Sequence, residues 1–488
     1  MLLSKLISEI NNAKSIKFED VEVSGISYNS KTTKAGDIFI CLVGENSDGH
    51  DFAQMAVDNG AVALMVEREL DINIPQIFVK STRHQIAEVA AALYGHPSKA
   101  LNIIGVTGTN GKTTVTHLIQ KIFEAANKKC GLIGTLGHKF KSTDNYADAK
   151  HTTPQAPEFQ ALLKKAFDNG IDNIAAEVSS HSLEQNRVGG TTFNTAVLTN
   201  LTQDHLDYHI TMNNYFEAKA ILFRGLKQGA YAIINNDDEY AERFISIVPQ
   251  GVNVITYGVK KDADFKAEKI SFSMHGAEYV LKTKDGDRKI NLQLNGMFSV
   301  YNTLAAIAAA KVNGIELDTI IDVLEATKGV AGRFEAVYKH PLVIVDYAHT
   351  PDGLQNVLKA AKELKNDDAR LICLFGCGGD RDATKRPKMG KIADEMADII
   401  VVTSDNPRSE DPSLIISDIM AGIKSVNPER VFVEVERGKA IELLKKISKP
   451  NDIILVAGKG HEDYQILKDK TIHFDDREEV AKVFGKEV

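Results

Sequence analysis

The sequence has no uninterrupted apolar run approaching the roughly 18 residues of a membrane span, so no transmembrane helix is expected. It also lacks a long Lys/Arg block. With a net charge of −8 and a pI near 6.0, bulk binding to nucleic acid or anionic membrane has no support. Any anionic substrate must be held by local lysines and arginines. Cysteine is scarce, at positions 41, 130, 373 and 377 only. Cys373 and Cys377 flank the end of an apolar run at 371–375, with no second Cys/His pair at a zinc spacing. Buried reduced thiols in a reducing, cytoplasmic compartment are the expectation. The first ten residues are interrupted by Lys5 and Glu9, which makes an amphipathic helix and not the apolar core of a signal peptide. No G-x-G-x-x-G occurs, which weakens nicotinamide binding, and no guanine-selecting Asn-Lys-x-Asp.

What is present is an ordinary globular composition, 43% hydrophobic and 25% charged, over 488 residues. A length of about 150 residues per domain gives about three domains. The chain is organised around Leu101-Asn-Ile-Ile-Gly-Val-Thr-Gly108-Thr-Asn-Gly111-Lys112-Thr113-Thr114. Apolar residues to Val106 read as a buried strand, and Val115, Leu118, Ile119 and Ile122 have helical spacing. A glycine-rich turn between strand and helix cradles phosphate: amides and helix dipole face the anion, Lys112 reaches its outer oxygens, and Thr113 can hold Mg²⁺. The strict P-loop pattern is not met, because its first glycine is replaced by Val106 and a glycine stands one earlier, at Gly105. The loop is a variant triphosphate site.

Residues 1–98 alternate short strands (21–23, 37–42, 62–66, 76–79) with helices (52–59, 82–94), and Gly95 and Pro97 mark a boundary. Residues 99–330 continue the alternation, which implies a mostly parallel sheet with ligands at the carboxyl ends of its strands. Glu177-Val-Ser-Ser-His181, the run Asn200 to His209 with Asp204, His205 and Asp207, and His151-Thr152-Thr153-Pro154 fall at such ends. Carboxylates and imidazoles there suit Mg²⁺ and phosphate chemistry. By local pattern Lys219 is a solvated lysine on an amphipathic helix, and Asn302 caps the start of an alanine-rich helix over 302–312. Residues 331–488 form a third α/β unit, in which four strands each deliver polar residues at the carboxyl end. These are Asp346-Tyr-Ala-His349, Gly376-Cys-Gly-Gly-Asp-Arg381, Ser404-Asp405-Asn406-Pro407-Arg408 and Gly458-Lys-Gly-His-Glu462.

With these motifs in this order, the chain resembles the Mur ligases of peptidoglycan precursor synthesis over nearly its whole length. The motifs that carry the resemblance are 105–114, Glu177 to Ser180, Asn200 to Asp207, the Lys219 helix, Gly332-Arg333-Phe-Glu335 and Asp346 to His349. Within that family Asp405-Asn-Pro-Arg408 marks the members that add meso-diaminopimelate. The resemblance implies an α/β fold of three domains: a central P-loop domain with a mostly parallel sheet, an N-terminal α/β domain and a C-terminal Rossmann-like α/β domain. It implies ATP at Gly108, Thr109, Asn110, Gly111, Lys112, Thr113 and Thr114, completed by Asn302, Arg333, Asp346 and His349 across a domain interface. It also implies Mg²⁺ at Thr113, Glu177, His205 and a carbamylated Lys219. Ser30, Glu45, Asn46, Ser47, Thr152, Thr153, Ser179, Gln185 and Arg187 would hold the UDP-muramoyl dipeptide. Arg381, Asp405, Asn406, Pro407, Arg408, Gly458 and Glu462 would hold diaminopimelate. Catalysis would fall to Lys112, Lys219, Glu177, His205 and Arg333.

Physical reasoning supports the amino-acid choice. Diaminopimelate carries a distal carboxylate that lysine lacks, and an arginine fork at Arg408 or Arg381 pairs a carboxylate bidentately while Glu462 answers the ammonium. Lysine would leave those arginines unpaired, at about 1–3 kcal/mol per polar group. The expected activity is ATP-dependent amide formation through an acyl phosphate, with small-molecule substrates and a monomer as the default. The alternatives are a related ligase adding lysine or, as folylpolyglutamate synthase does, glutamate, and a P-loop nucleotide switch.

Overall fold

The computed structural model describes residues 1–488 other than 11, 12, 18, 45, 46, 148–150, 274, 275, 367, 426 and 486–488. The N-terminal part holds a five-stranded sheet. Gly25–Ser27, Asp37–Ile40, Ala63–Val66 and Gln76–Phe78 run parallel in that order, and Lys14–Ile16 pairs antiparallel with the last. The strand expected at 21–23 is not formed. Val21 and Val23 instead accept hydrogen bonds from Leu3 and the amino group of Met1, so the first residues claim their backbone.

The central sheet has ten strands. Cys130–Gly134, Asn173–Glu177, Asn102–Thr107, Thr195–Leu198, Tyr231–Asn235 and Asn253–Gly258 are parallel neighbours, and antiparallel pairings close both edges. Such a sheet buries both faces and reads as apolar runs. Helix Lys112–Ala125 covers one face with Val115, Leu118, Ile119 and Ile122 fully buried, as their spacing predicts. Against it packs Met297–Val312, whose small residues let the two helices approach closely. That helix begins well before the expected 302, because Gly296 at φ +83° turns the chain there. Asn302 is therefore inside the helix and is not its cap.

The C-terminal part holds a six-stranded sheet. Leu342–Asp346, Ile453–Ala457, Leu371–Phe375, Ile399–Val402 and Val431–Val433 are parallel in that spatial order, with Glu335–Tyr338 antiparallel at the edge. Parallel order puts the carboxyl ends of four motif-bearing strands on one edge. All four cysteines are free and buried, and burial pushes the thiols of Cys41, Cys373 and Cys377 up to about 12. Among the described residues no helix is long and apolar enough to cross a membrane.

Candidate active site

The loop 108–111 turns as expected of a phosphate cradle, but its glycines divide the work differently from the motif. Gly105 lies within the strand, where a Cβ would meet the Phe193 ring at 2.8 Å, so it serves packing. Gly108 (φ +148°) and Gly111 (φ +88°) hold the turn, and a Cβ would lie 1.8 Å from Thr199 Oγ1 and 2.4 Å from Asn302 Oδ1 respectively. Asn302 thus reaches the loop from inside its helix. Lys112 Nζ donates to the carbonyls of Gly108 and Thr109, both at 2.9 Å. Thr109 and Asn110 donate backbone N–H groups to Asn200 O and Oδ1, and Thr114 lines the same cavity.

Glu177, fully buried, is held by Thr113 Oγ1 (3.0 Å), Thr135 N (2.9 Å) and Thr135 Oγ1 (3.0 Å). A buried carboxylate demands such partners. Gly134 makes room for it, since a Cβ there would sit 2.2 Å from Glu177 Oε1. Arg333 Nη2 donates to Thr113 Oγ1 at 3.0 Å, so a residue of the C-terminal part reaches the phosphate loop. Its guanidinium lies over the Tyr347 ring, 4.4 Å from the centroid. Both Asp346 oxygens accept backbone N–H groups, from Phe334 and Ala348 at 2.7 Å, which fixes the turn that aims Arg333. Burial pushes the Asp346 carboxyl up, opposed by Arg333.

The solvated reading of Lys219 is wrong. The side chain is 1% exposed, 3.0 Å from Gly108 O and 4.5 Å from the Tyr215 ring centroid. Burial, reinforced by Lys112, pushes its ammonium well below the usual lysine range, which favours a neutral amine. Its own helix carries a sign of this, since Lys219 stands four residues after Tyr215 and three and four before Leu222 and Phe223 on the buried face, and the Gly108 carbonyl packs over it. Burial also pushes His205 down to about 3, against the pull of Asp204, whose oxygen is 3.4 Å away. His349 Nε2 lies 3.9 Å from the same Asp204 carboxylate, and His349 is likewise pushed down by burial. Asp204, His205 and His349, with Thr113, Glu177 and Arg333, line a cavity of ≈ 380 Å³ between the central and C-terminal sheets. Among the described residues no three His, Cys, Asp or Glu side chains form a ready-made metal cage. The Thr113 hydroxyl and the Glu177 carboxylate, 3.0 Å apart, are nevertheless oxygen donors of the kind Mg²⁺ takes, with the rest of its ligands from phosphate and water.

A second cluster is built beside it. Thr153 Oγ1 donates to Glu177 O (2.8 Å) and accepts from Ser179 N (3.1 Å), and Thr152 Oγ1 is 3.1 Å from Thr135 Oγ1. Arg187 donates to Gln185 Oε1 (2.7 Å) and Thr153 O (3.1 Å). Ser30 stands apart in the N-terminal part, buried, with Oγ 3.3 Å from Met55 Sδ. Ser47 is exposed, and Glu45 and Asn46 lie outside the described residues.

A third cluster gathers the strand ends of the C-terminal sheet. Arg408, at φ +53°, donates Nη1 to Gly379 O at 2.9 Å, and Asn406 Nδ2 donates to Glu462 Oε2 at 2.9 Å. Pro407 is buried with its neighbours Asp405 and Asn406. Gly458 (φ +120°) leaves room for Asp405, whose Oδ2 would lie 2.8 Å from a Cβ. Arg381 is exposed and donates to Asp380 O. Burial, then the charge of Asp405, pushes the Glu462 carboxyl up. Thr135 and Asp352 share the first site without a motif of their own, and Tyr347 shares it from inside the Asp346-to-His349 motif.

Models of the Mur ligase family match nearly all of this: its catalytic domain at 22–99, its middle domain at 106–310 and its glutamate ligase domain at 332–460. The chain belongs to the Mur ligase family. A Mur ligase from Syntrophomonas wolfei, UDP-N-acetylmuramoyl-L-alanyl-D-glutamate–2,6-diaminopimelate ligase, is 45% identical over 475 residues, covering 96% of each chain. A solved structure bearing the same enzyme name is 35% identical, with a TM-score of 0.67 over 94% of each chain. MurF ligase from Thermotoga maritima in complex with ADP, 19% identical, shares the Mur ligase fold at a TM-score of 0.66, covering 96% of this chain and 98% of that one.

Proposed function

We propose that this Mur ligase joins an amine of meso-2,6-diaminopimelate to the γ-carboxylate of UDP-N-acetylmuramoyl-L-alanyl-D-glutamate, at the expense of ATP, in peptidoglycan precursor synthesis. Residues 1–98 would serve the UDP end, 99–330 ATP and 331–488 the amino acid. The observation that carries this reading is the 3.0 Å contact of Arg333 with Thr113, which brings the part bearing Arg408 and Glu462 onto the phosphate loop.

ATP would lie in the 108–114 cradle, with Lys112 exchanging its loop carbonyls for phosphoryl oxygens. The γ-phosphoryl passes to the D-glutamyl carboxylate, giving ADP and an acyl phosphate, while Lys112 and Arg333 face the charge in transit. The amine then attacks the acyl carbon, loses a proton, and phosphate leaves as the amide forms. Thr113, Glu177, His205 and Lys219, the last as a carbamate, would hold Mg²⁺, which supplies charge neutralisation on the phosphoryl oxygens. A neutral buried amine is the form of Lys219 that adds CO₂. Thr152, Thr153, Ser179, Gln185 and Arg187 would orient the muramoyl dipeptide, with Ser30 and Ser47 toward its uridine. Closure of the C-terminal part over the loop keeps water from the acyl phosphate. The buried reduced thiols suit the cytoplasm.

The test is phosphate release from ATP with the UDP-muramoyl dipeptide, comparing meso-diaminopimelate with L-lysine. Release only with diaminopimelate, lost in Arg408→Ala, is expected. Release with lysine would overturn the selective role of Arg408, and none with either would overturn the acceptor assignment.

A further inference from the structure

The third cluster contains a buried cation with no part in the mechanism above. Lys459, between two glycines, is fully buried. Its Nζ lies 3.2 Å from Glu462 Oε2, 3.5 Å from Asn406 Oδ1 and 3.8 Å from Asp405 Oδ1, with the Tyr464 ring centroid at 5.5 Å. Asp405 Oδ1 is buried and has no hydrogen bond. The neighbouring buried cation, Arg437, is closed in a two-point pair with Asp476 at 2.7 Å for both contacts. Arg437 therefore contributes little net charge, whereas Lys459 sits between the carboxylates of Asp405 and Glu462. Lysine is almost never fully buried without such a reason.

We propose that Lys459 sets the charge of this pocket so that it accepts a zwitterionic amino-acid head and rejects a lone ammonium, a specificity-determining role that presupposes the amino-acid site proposed above. Asp405 and Glu462 alone would attract any ammonium, including the ε-ammonium of L-lysine. With Lys459 between them and Arg408 beside them, the two carboxylates are already matched by two cations, so a lone further ammonium adds uncompensated positive charge in a poorly screened space. It is tolerated when its own carboxylate accompanies it and pairs with Arg408. The distal head of diaminopimelate brings both charges and leaves the pocket unchanged. The tail of lysine brings one. Arg408 recognises the carboxylate, and Lys459 makes that carboxylate obligatory. The Arg437–Asp476 pair is the same with either substrate and cancels in the comparison.

The experiment measures phosphate release with the UDP-muramoyl dipeptide and either meso-diaminopimelate or L-lysine, and takes the ratio of the two kcat/KM values. Lys459→Met keeps the length of the side chain and removes its charge. The diaminopimelate-over-lysine ratio is expected to fall about tenfold or more, through a higher KM for diaminopimelate and a lower KM for lysine. A purely structural role would depress both substrates alike and leave the ratio in place. Because the single change leaves two carboxylates facing each other, Lys459→Met is also made in a Glu462→Gln background, where one of them is gone. There too it must lower the ratio relative to Glu462→Gln alone. An unchanged ratio in either background, with ATP binding retained, would overturn the charge-setting role while leaving the ligase reading intact. A wild-type enzyme that releases no phosphate with either amino acid would overturn both.

Discussion

Asn110 Nδ2 donates to Asp352 Oδ2 at 3.1 Å, tying the phosphate loop to the first turn of the helix Pro351–Glu363. Thr202 Oγ1 donates to the same oxygen at 3.3 Å. One carboxylate thus holds two segments of the central part against the C-terminal part, beside the nucleotide cavity. Asp352→Ala removes both contacts without opening a core. The expected outcome is a KM for ATP raised about five- to tenfold, from two hydrogen bonds worth about 1 kcal/mol or less each. Steady-state phosphate release gives the KM, and an unchanged unfolding midpoint confirms that the fold is intact.

Arg333 bridges the same interface through Thr113, where phosphoryl charge would develop. Arg333→Ala is expected to lower kcat by about a hundredfold or more, the usual effect of losing a preorganised donor. ADP binding, measured calorimetrically, should change far less. Equal losses in both would show that Arg333 only helps to hold the nucleotide.

Lys219 is buried against Gly108 O with its ammonium disfavoured by burial and by Lys112. Enzyme prepared free of CO₂ should lose most of its activity and regain it on adding bicarbonate. Intact-mass measurement should show one CO₂ increment, absent in Lys219→Ala. Full activity without bicarbonate or that increment would rule out the carbamate.

His117 sits one turn into the helix that follows the loop, with Nδ1 2.6 Å from Thr113 O and Nε2 against the Tyr146 hydroxyl. Burial pushes it from 6.5 down to about 3. Its folded pKa lies below the unfolded value, so between the two the unfolded chain binds more protons and stability falls as pH falls. From pH 6.5 to 5 this group alone should cost up to about 2 kcal/mol. His117→Phe, less stable at neutral pH for want of its hydrogen bonds, should lose less over the same interval in urea unfolding. Parallel losses in the two proteins would place the acid sensitivity elsewhere.

Much of this was legible in local order. Strand–glycine loop–helix at 102–125 needs only neighbouring residues, because alternation of apolar runs and tight turns is a short-range property. The polar strand ends at Asp346, Arg381, Arg408 and Glu462 are equally local, and parallel topology then brings them to one edge. The residue type misled at Lys219, which stands on the apolar stripe of its helix with Tyr215, Leu222 and Phe223 but reads as solvated because it is a lysine. Locality misled at Asn302, where Gly296 starts the helix earlier than the alanine run suggests.

The sequence by itself determined the class of fold, the phosphate loop and the chemistry that each strand end offers. Only the tertiary structure decided which of those ends meet. Arg333 on Thr113, Asp352 on Asn110 and Lys459 between Asp405 and Glu462 all join residues whose pairing depends on sheet order and domain closure, except for the short Lys459–Glu462 step. The charge states of Lys219 and His205 are likewise set by tertiary packing, because desolvation depends on whatever packs on a group from every side and not only on its neighbours along the chain.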